Sequence, residues 1–134
     1  MENEFVTYEI AKLLKELNFD EPCLAWYYFN EENSSYALNS FKQDYGDKFD
    51  WWKYSELDSD VYVDHLIAPL WQQAIDWLRE KHDIDIELPY GGNKDKYYVF
   101  VQEYIYEGKD PKQFTYYGAR EQAILKAIEI IKSA

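Results

Sequence analysis

His82, Asp83, Asp85 and Glu87 lie close enough together to suggest a divalent-cation site. On an extended chain the three carboxylates would share one strand face, about 7 Å apart and diverging along it. A cation needs ligands that converge, usually with one from elsewhere in the fold, so a solvated strand face is the better reading. His65, beside Asp64, is the only other histidine, and two histidines do not make a His-rich metal centre. Cys23 is the single cysteine, which excludes an internal disulfide. It opens the apolar run Cys23–Phe29, where a thiol behaves as a small hydrophobe rather than a nucleophile. No Gly-rich phosphate loop, Gly-x-Ser-x-Gly elbow or His-Glu-x-x-His helix occurs. These residues point to no catalytic group, metal or cofactor, and a non-enzyme is expected.

Recognition is the chemistry this composition favours. The chain has 14 Tyr, 5 Trp and 7 Phe, more phenol oxygens than a core of this size can hide with partners, so many tyrosines must reach the surface. Exposed Tyr and Trp suit binding, because they offer large contact area, few rotamers and a polar tip. One candidate surface is the acidic, aromatic segment carrying Asp44, Asp47, Trp51, Trp52, Tyr54, Asp58 and Asp60. The structural alternative is that Trp51 and Trp52 cover the open face of a sheet. A second candidate surface comes from the less acidic end. There Tyr97 could stack a base while Lys94, Lys96, Arg120 and Lys126 hold phosphates. Tyr116 and Tyr117 form a further patch.

The charge is uneven. Residues 1–90 hold 20 Asp/Glu against 7 Lys/Arg, whereas residues 91–134 hold 6 against 7. One strongly negative side follows, either a solvated face that aids solubility or a surface for a basic partner. A formal net charge of −12 and a pI near 4.5 argue against direct nucleic-acid binding. At 134 residues the chain suits a single domain with a core that needs no disulfide or metal. No apolar run reaches the roughly 18 residues of a membrane span. Met1-Glu2-Asn3-Glu4 lacks the basic and apolar stretch of a secretory signal. A cytoplasmic protein is expected.

The elements that must position these residues follow from periodicity. Val6, Ile10, Leu13, Leu14 and Leu17 recur at spacings of three and four, which predicts a helix over 7–17, capped by Thr7 and closed by Asn18. Cys23–Phe29 reads as a strand buried on both faces. Asn30, Asn33, Ser34 and Ser35 form turn chemistry, and Tyr36–Phe41 suits the return strand of a hairpin. Residues 30–66 otherwise form a long aromatic and acidic excursion. Pro69 opens a second helix to His82, with Ile67, Leu70, Trp71, Ala74, Ile75 and Leu78 as its stripe. The period then switches to two: Ile84, Ile86 and Leu88 alternate with Asp83, Asp85 and Glu87. Residues 83–90 should pair with a strand over 97–106 as an antiparallel hairpin. A last helix is predicted over 119–132, with Ala123, Ile124, Ala127, Ile128 and Ile131 inward and Thr115 or Tyr117 before its start. The order predicts one α+β domain over 1–134, an antiparallel sheet of three to four strands with about three helices packed on it.

Three blocks carry a family resemblance: Ala11–Glu16 with Pro22-Cys23, the run from Ala68-Pro69 through Trp77-Leu78-Arg79-Glu80-Lys81-His82 to Ile84 and Ile86, and Ala119–Ile128. Together they resemble a family of small proteins of gut-bacterial phages and prophages, with no established activity. The resemblance implies a phage-type origin, an intracellular setting and a compact α+β domain, and it supplies no catalytic residue. The leading reading is a non-enzymatic interaction protein that binds a host protein through its acidic, aromatic surface. The alternatives are a small-ligand-binding protein that sequesters a nucleotide-type signal, and a self-associating module whose aromatic patch is a homo-oligomer contact.

Overall fold

The computed structural model describes residues 4–40, 51–57, 64–92, 97–102, 104–105 and 115–133. Helix α1 (Tyr8–Glu16) is followed by strands β1 (Ala25–Asn30) and β2 (Ser35–Ser40), a short 3-10 turn (Tyr54–Glu56) and strand β3 (Leu66–Ala68). Helix α2 (Trp71–His82), strands β4 (Ile86–Glu87), β5 (Phe100–Val101) and β6 (Tyr104–Ile105), and helix α3 (Tyr116–Ser133) complete the order. The fold is α+β, as expected. Its strands form two antiparallel three-stranded sheets rather than one, ordered β2-β1-β3 and β4-β5-β6. Backbone contacts group into two compact units, residues 1–70 and 71–134, each holding one sheet.

In the first unit, Thr7 Oγ1 accepts from the Ile10 N–H at 3.3 Å and starts α1. The helix stops at Asn18, whose φ of 66° is the left-handed conformation that asparagine tolerates. The Asn18 N–H then reaches Lys15 O and the Phe19 N–H reaches Leu14 O, the paired closure of a Schellman motif. Phe19 and Leu14 are both buried, which supplies the apolar contact such a closure favours. Strand β1 pairs along its full length with β2, from Ala25↔Ser40 to Asn30↔Ser35, and over Ala25–Tyr27 with β3. Phe5, Ala25 and Ala68 form a buried cluster, joined by Leu24, Tyr27, Leu38 and Leu70.

In the second unit, α2 buries Trp71, Ala74, Ile75, Trp77 and Leu78, and α3 buries Ala119, Ala123, Ile124, Ala127 and Ile128. The two helices pack on each other, and α3 packs on β5. Ile84 and Ile86 are buried and Leu88 is half-buried, whereas Asp83, Asp85 and Glu87 are exposed, as the two-residue period predicts. Arg79 donates to Ile86 O at 2.6 Å, which ties the end of α2 to β4.

The structure departs from the sequence reading in several places, and the strand expected over 83–90 is confined to Ile86–Glu87. Residues 67 and 70 leave the second helix: Ile67 pairs with Trp26 inside β3, and Leu70 bridges to Phe5, so α2 starts at Trp71. The strand expected over 97–106 turns back on itself, because Gln102 takes a φ of 57° and β6 folds onto β5. Gln102 also exchanges hydrogen bonds with Asp85, N–H to Asp85 O at 2.8 Å and Oε1 from the Asp85 N–H at 3.1 Å. The last helix starts three residues early, at Tyr116. Strand β1 is not buried on both faces: Ala25 is buried, Trp26–Tyr28 are half-buried and Phe29 is exposed. Its apolar run reflects a central place between two strands, with the Trp26 and Tyr28 rings stacked against His65.

Trp71 is 6% exposed at the start of α2. Trp71→Ala is expected to cost about 3–5 kcal/mol, the ordinary figure for truncating a buried Trp. A urea midpoint that stays in place would show that this ring is not part of the core.

Candidate functional site

The aromatic cluster of the second unit is built by the first turn of α3. Thr115 Oγ1 accepts from the Gly118 N–H at 3.1 Å, and Thr115 O accepts from the Ala119 N–H at 2.8 Å. This cap sets Tyr116 and Tyr117 four and three residues before Arg120, the spacings that meet on one helix face. The Arg120 guanidinium carbon lies 4.4 Å from the Tyr116 ring centroid, 4.8 Å from Tyr117 and 5.3 Å from Trp71. Arg120 is only 4% exposed. Its cation is held by the negative faces of three rings, an attraction that grows when water is removed.

The rings continue outward. Tyr97 lies 5.2 Å from Tyr116, and Tyr90 lies 5.1 Å from Tyr97, across the bridge that extends the β4–β5 pairing. Tyr116, Tyr117 and Tyr90 are 41%, 52% and 60% exposed. Among the described residues the cluster consists of aromatic rings around one guanidinium. It offers a row of ring faces in mutual contact, with a cation against the inner ones.

The other sequence candidates are dispersed. Trp51 is 51% exposed, whereas Trp52 is half-buried and exchanges both backbone hydrogen bonds with Cys23, at 2.7 and 2.9 Å. The Tyr54 hydroxyl accepts from the Ile67 N–H at 2.8 Å, and burial pushes its pKa upward. Trp52 and Tyr54 thus hold the first unit's sheet together. Asp44, Asp47, Asp58, Asp60, Lys94 and Lys96 lie outside the described residues. Arg120 faces rings rather than solvent, and Lys126 pairs with Glu129 at 3.4 Å. Cys23 is buried, its Sγ 3.4 Å from Glu21 O. His82 meets Trp77 edge-on at 4.9 Å, and among the described residues no three His, Cys, Asp or Glu side chains gather as a metal site.

Two features escaped the sequence reading. Trp71 joins the Arg120 cluster from another helix, which no local spacing reveals. His65 lies against the outer face of β1, 6.1 Å from the Trp26 ring and 6.4 Å from Tyr28, with planes within 28°. The alternation of Trp26 and Tyr28 along a strand was the available signal, since it sets both rings on one face.

Arg120→Met keeps the aliphatic stem and removes the cation. It is expected to cost about 2 kcal/mol in urea denaturation, with Arg120→Lys recovering part of the loss. An unchanged midpoint would mean that the rings need no cation beneath them. For His65, burial lowers the pKa below the ordinary 6.5, against the opposing pull of Asp64. The folded state therefore favours neutral His65; that stability is whole above the unfolded value and is lost as pH falls through the lowered folded one. An NMR titration of His65 should show a midpoint below 6.5, and a midpoint above it would contradict the burial of this ring. No protein-family model, no curated protein and no solved structure matches this chain.

Proposed function

We propose that this chain is a non-enzymatic interaction protein that binds another protein through the tyrosine row of residues 71–134. The observation that supports it most is Arg120, buried beneath rings whose outer members stay half-exposed. A cation placed under aromatic side chains fixes their orientation before a partner arrives, which lowers the ordering cost of binding. Tyr and Trp are also the residues that most often dominate binding energy. The net charge of −12 favours a partner of opposite sign and speeds its approach. Asp44, Asp47, Asp58 and Asp60 contribute to that field by sequence. The resemblance to phage and prophage proteins favours a host protein as the partner.

The test compares the wild-type chain with Tyr90→Ala/Tyr117→Ala as bait in host lysate, followed by kinetics on the purified partner. The double variant should bind at least about tenfold more weakly, since each anchoring ring is worth about 1–2 kcal/mol. The wild-type association rate should fall as salt rises, because screening shortens the Debye length from about 30 Å at 0.01 M to about 8 Å at 0.15 M. Capture and rates that ignore the two tyrosines would defeat the proposal. So would binding lost in Trp51→Ala instead, or a partner that proves to be a second copy of this chain.

A further inference from the structure

A groove of about 410 Å³ opens on the first unit, within the size range of small-molecule sites, roughly 300–1,000 Å³. Its walls come from three elements. Helix α1 supplies Tyr8, Lys12 and Lys15, whose spacing of four and three sets them on one face. Strand β2 supplies Tyr36, and the start of β3 supplies Leu66, with Asp64 just before it. Tyr8 and Tyr36 stack with centroids 3.8 Å apart and planes within 19°. Lys12 makes no ion pair among the described residues, and the Lys15 ammonium lies 5.1 Å from the Tyr54 ring centroid.

We propose that this groove binds a mononucleotide-type ligand, a planar base joined to a phosphate. The proposal concerns a different unit from the tyrosine row and does not rest on the protein-binding reading. Three chemistries that such a ligand needs meet here. Tyr27 meets Tyr8 edge-on at 6.0 Å and Phe29 meets Tyr36 at 5.3 Å, and Tyr36, 41% exposed, keeps the ring surface on which a base can stack, since every base has a π face. Two ammonium groups within one helical turn suit a phosphate, as charge-assisted donors. The Asp64 carboxylate at the rim accepts hydrogen bonds, which ranks a base with an amino edge above uracil. Glu16 adds a second carboxylate at the same rim.

The groove lining carries two lysines and two carboxylates, so the placing of its charges rather than their sum favours a phosphate at the lysines. A chain of net charge −12 repels anions in general, so phosphate affinity must come from a local pair such as Lys12 and Lys15. The stack itself stays neutral. A hydrogen bond between the two phenol groups, then burial and the nearby Glu9 charge, push the Tyr8 pKa up to about 12. No phenolate therefore opposes a phosphate near neutral pH. The ordinary alternative is a solvated lysine face beside a structural ring pair.

The experiment titrates the full chain with GMP, UMP and inorganic phosphate at physiological salt, read by calorimetry and by the NMR shifts of Tyr8 and Lys12. GMP should saturate with a Kd of about 10–1,000 μM, the ordinary range for a small ligand held by one stack and two charges. Lys12→Ala/Lys15→Ala should weaken it at least about tenfold, while leaving thermal melting in place, because both lysines are exposed. Tyr36→Ala should weaken it by a similar factor. UMP should bind several-fold more weakly than GMP. Absence of GMP saturation at millimolar concentration would overturn the proposal, as would saturation indifferent to the two lysines. Inorganic phosphate binding as tightly as GMP would also overturn it, because the rings would then contribute nothing.

Discussion

A tyrosine ring leaves water at little cost only when its hydroxyl finds a partner, and a chain with 14 of them is built around that constraint. In the first unit Tyr27 and Tyr54 find backbone partners. The Tyr27 hydroxyl donates to Val6 O at 2.6 Å, which fastens the segment before α1 to the central strand. Tyr54 accepts from the Ile67 N–H and so satisfies a donor on β3 that a further strand would otherwise take. Tyr8 and Tyr36 use each other, joining α1 to β2 by a stacked pair rather than by aliphatic packing. These bonds stand in for sheet ladder that the short strands do not provide. They explain how a six-residue hairpin and a three-residue strand hold a shared register.

In the second unit the rings are held by charge instead. Trp71, Tyr116 and Tyr117 surround the Arg120 guanidinium, and the burial of a cation is tolerable there because the ring faces replace part of its hydration. The consequence is directional. A ring held by a cation on its inner side keeps its outer side and hydroxyl in water, so Tyr116 and Tyr117 are ordered without being hidden. Exposed rings held in this way differ from a core that is incompletely covered, because their inner faces already have a partner.

Elements with a strong local signal were legible in the sequence: the α1 stripe with its Thr7 and Asn18 ends, the β1–β2 hairpin with its Asn30–Ser35 turn, and the switch from helix to strand at Asp83. The errors fall where tertiary pairing outweighed local pattern. Ile67 and Leu70 continue the helical stripe of α2, yet their backbone pairs with Trp26 and Phe5, and the ladder prevails over the periodicity. Gln102 takes its left-handed backbone without being Gly or Asn, so no turn residue marks it; the Gln102–Asp85 hydrogen bonds supply the compensation instead. Of the site, Tyr97 and Arg120 were legible as chemistry but not as geometry. The sequence reading began the last helix at residue 119, so it left Tyr116 and Tyr117 outside the helix they share with Arg120, and no local spacing reveals Trp71 from another helix.

The tyrosines divide by what their hydroxyls and rings do. Tyr27 and Tyr54 are bonded to backbone and belong to the scaffold. Tyr90, Tyr116 and Tyr117 are exposed and in ring contact with their neighbours. Substituting a scaffold tyrosine strands a backbone partner, so its effect appears first in stability. Substituting an exposed one removes contact area from a surface already ordered, so its effect appears first in binding. Tyr8 and Tyr36 lie between the classes, because their hydroxyls are used but Tyr36 remains 41% exposed. A position of this kind, beside two lysines in a chain that is otherwise strongly acidic, is one where substitution acts on stability and on surface chemistry together.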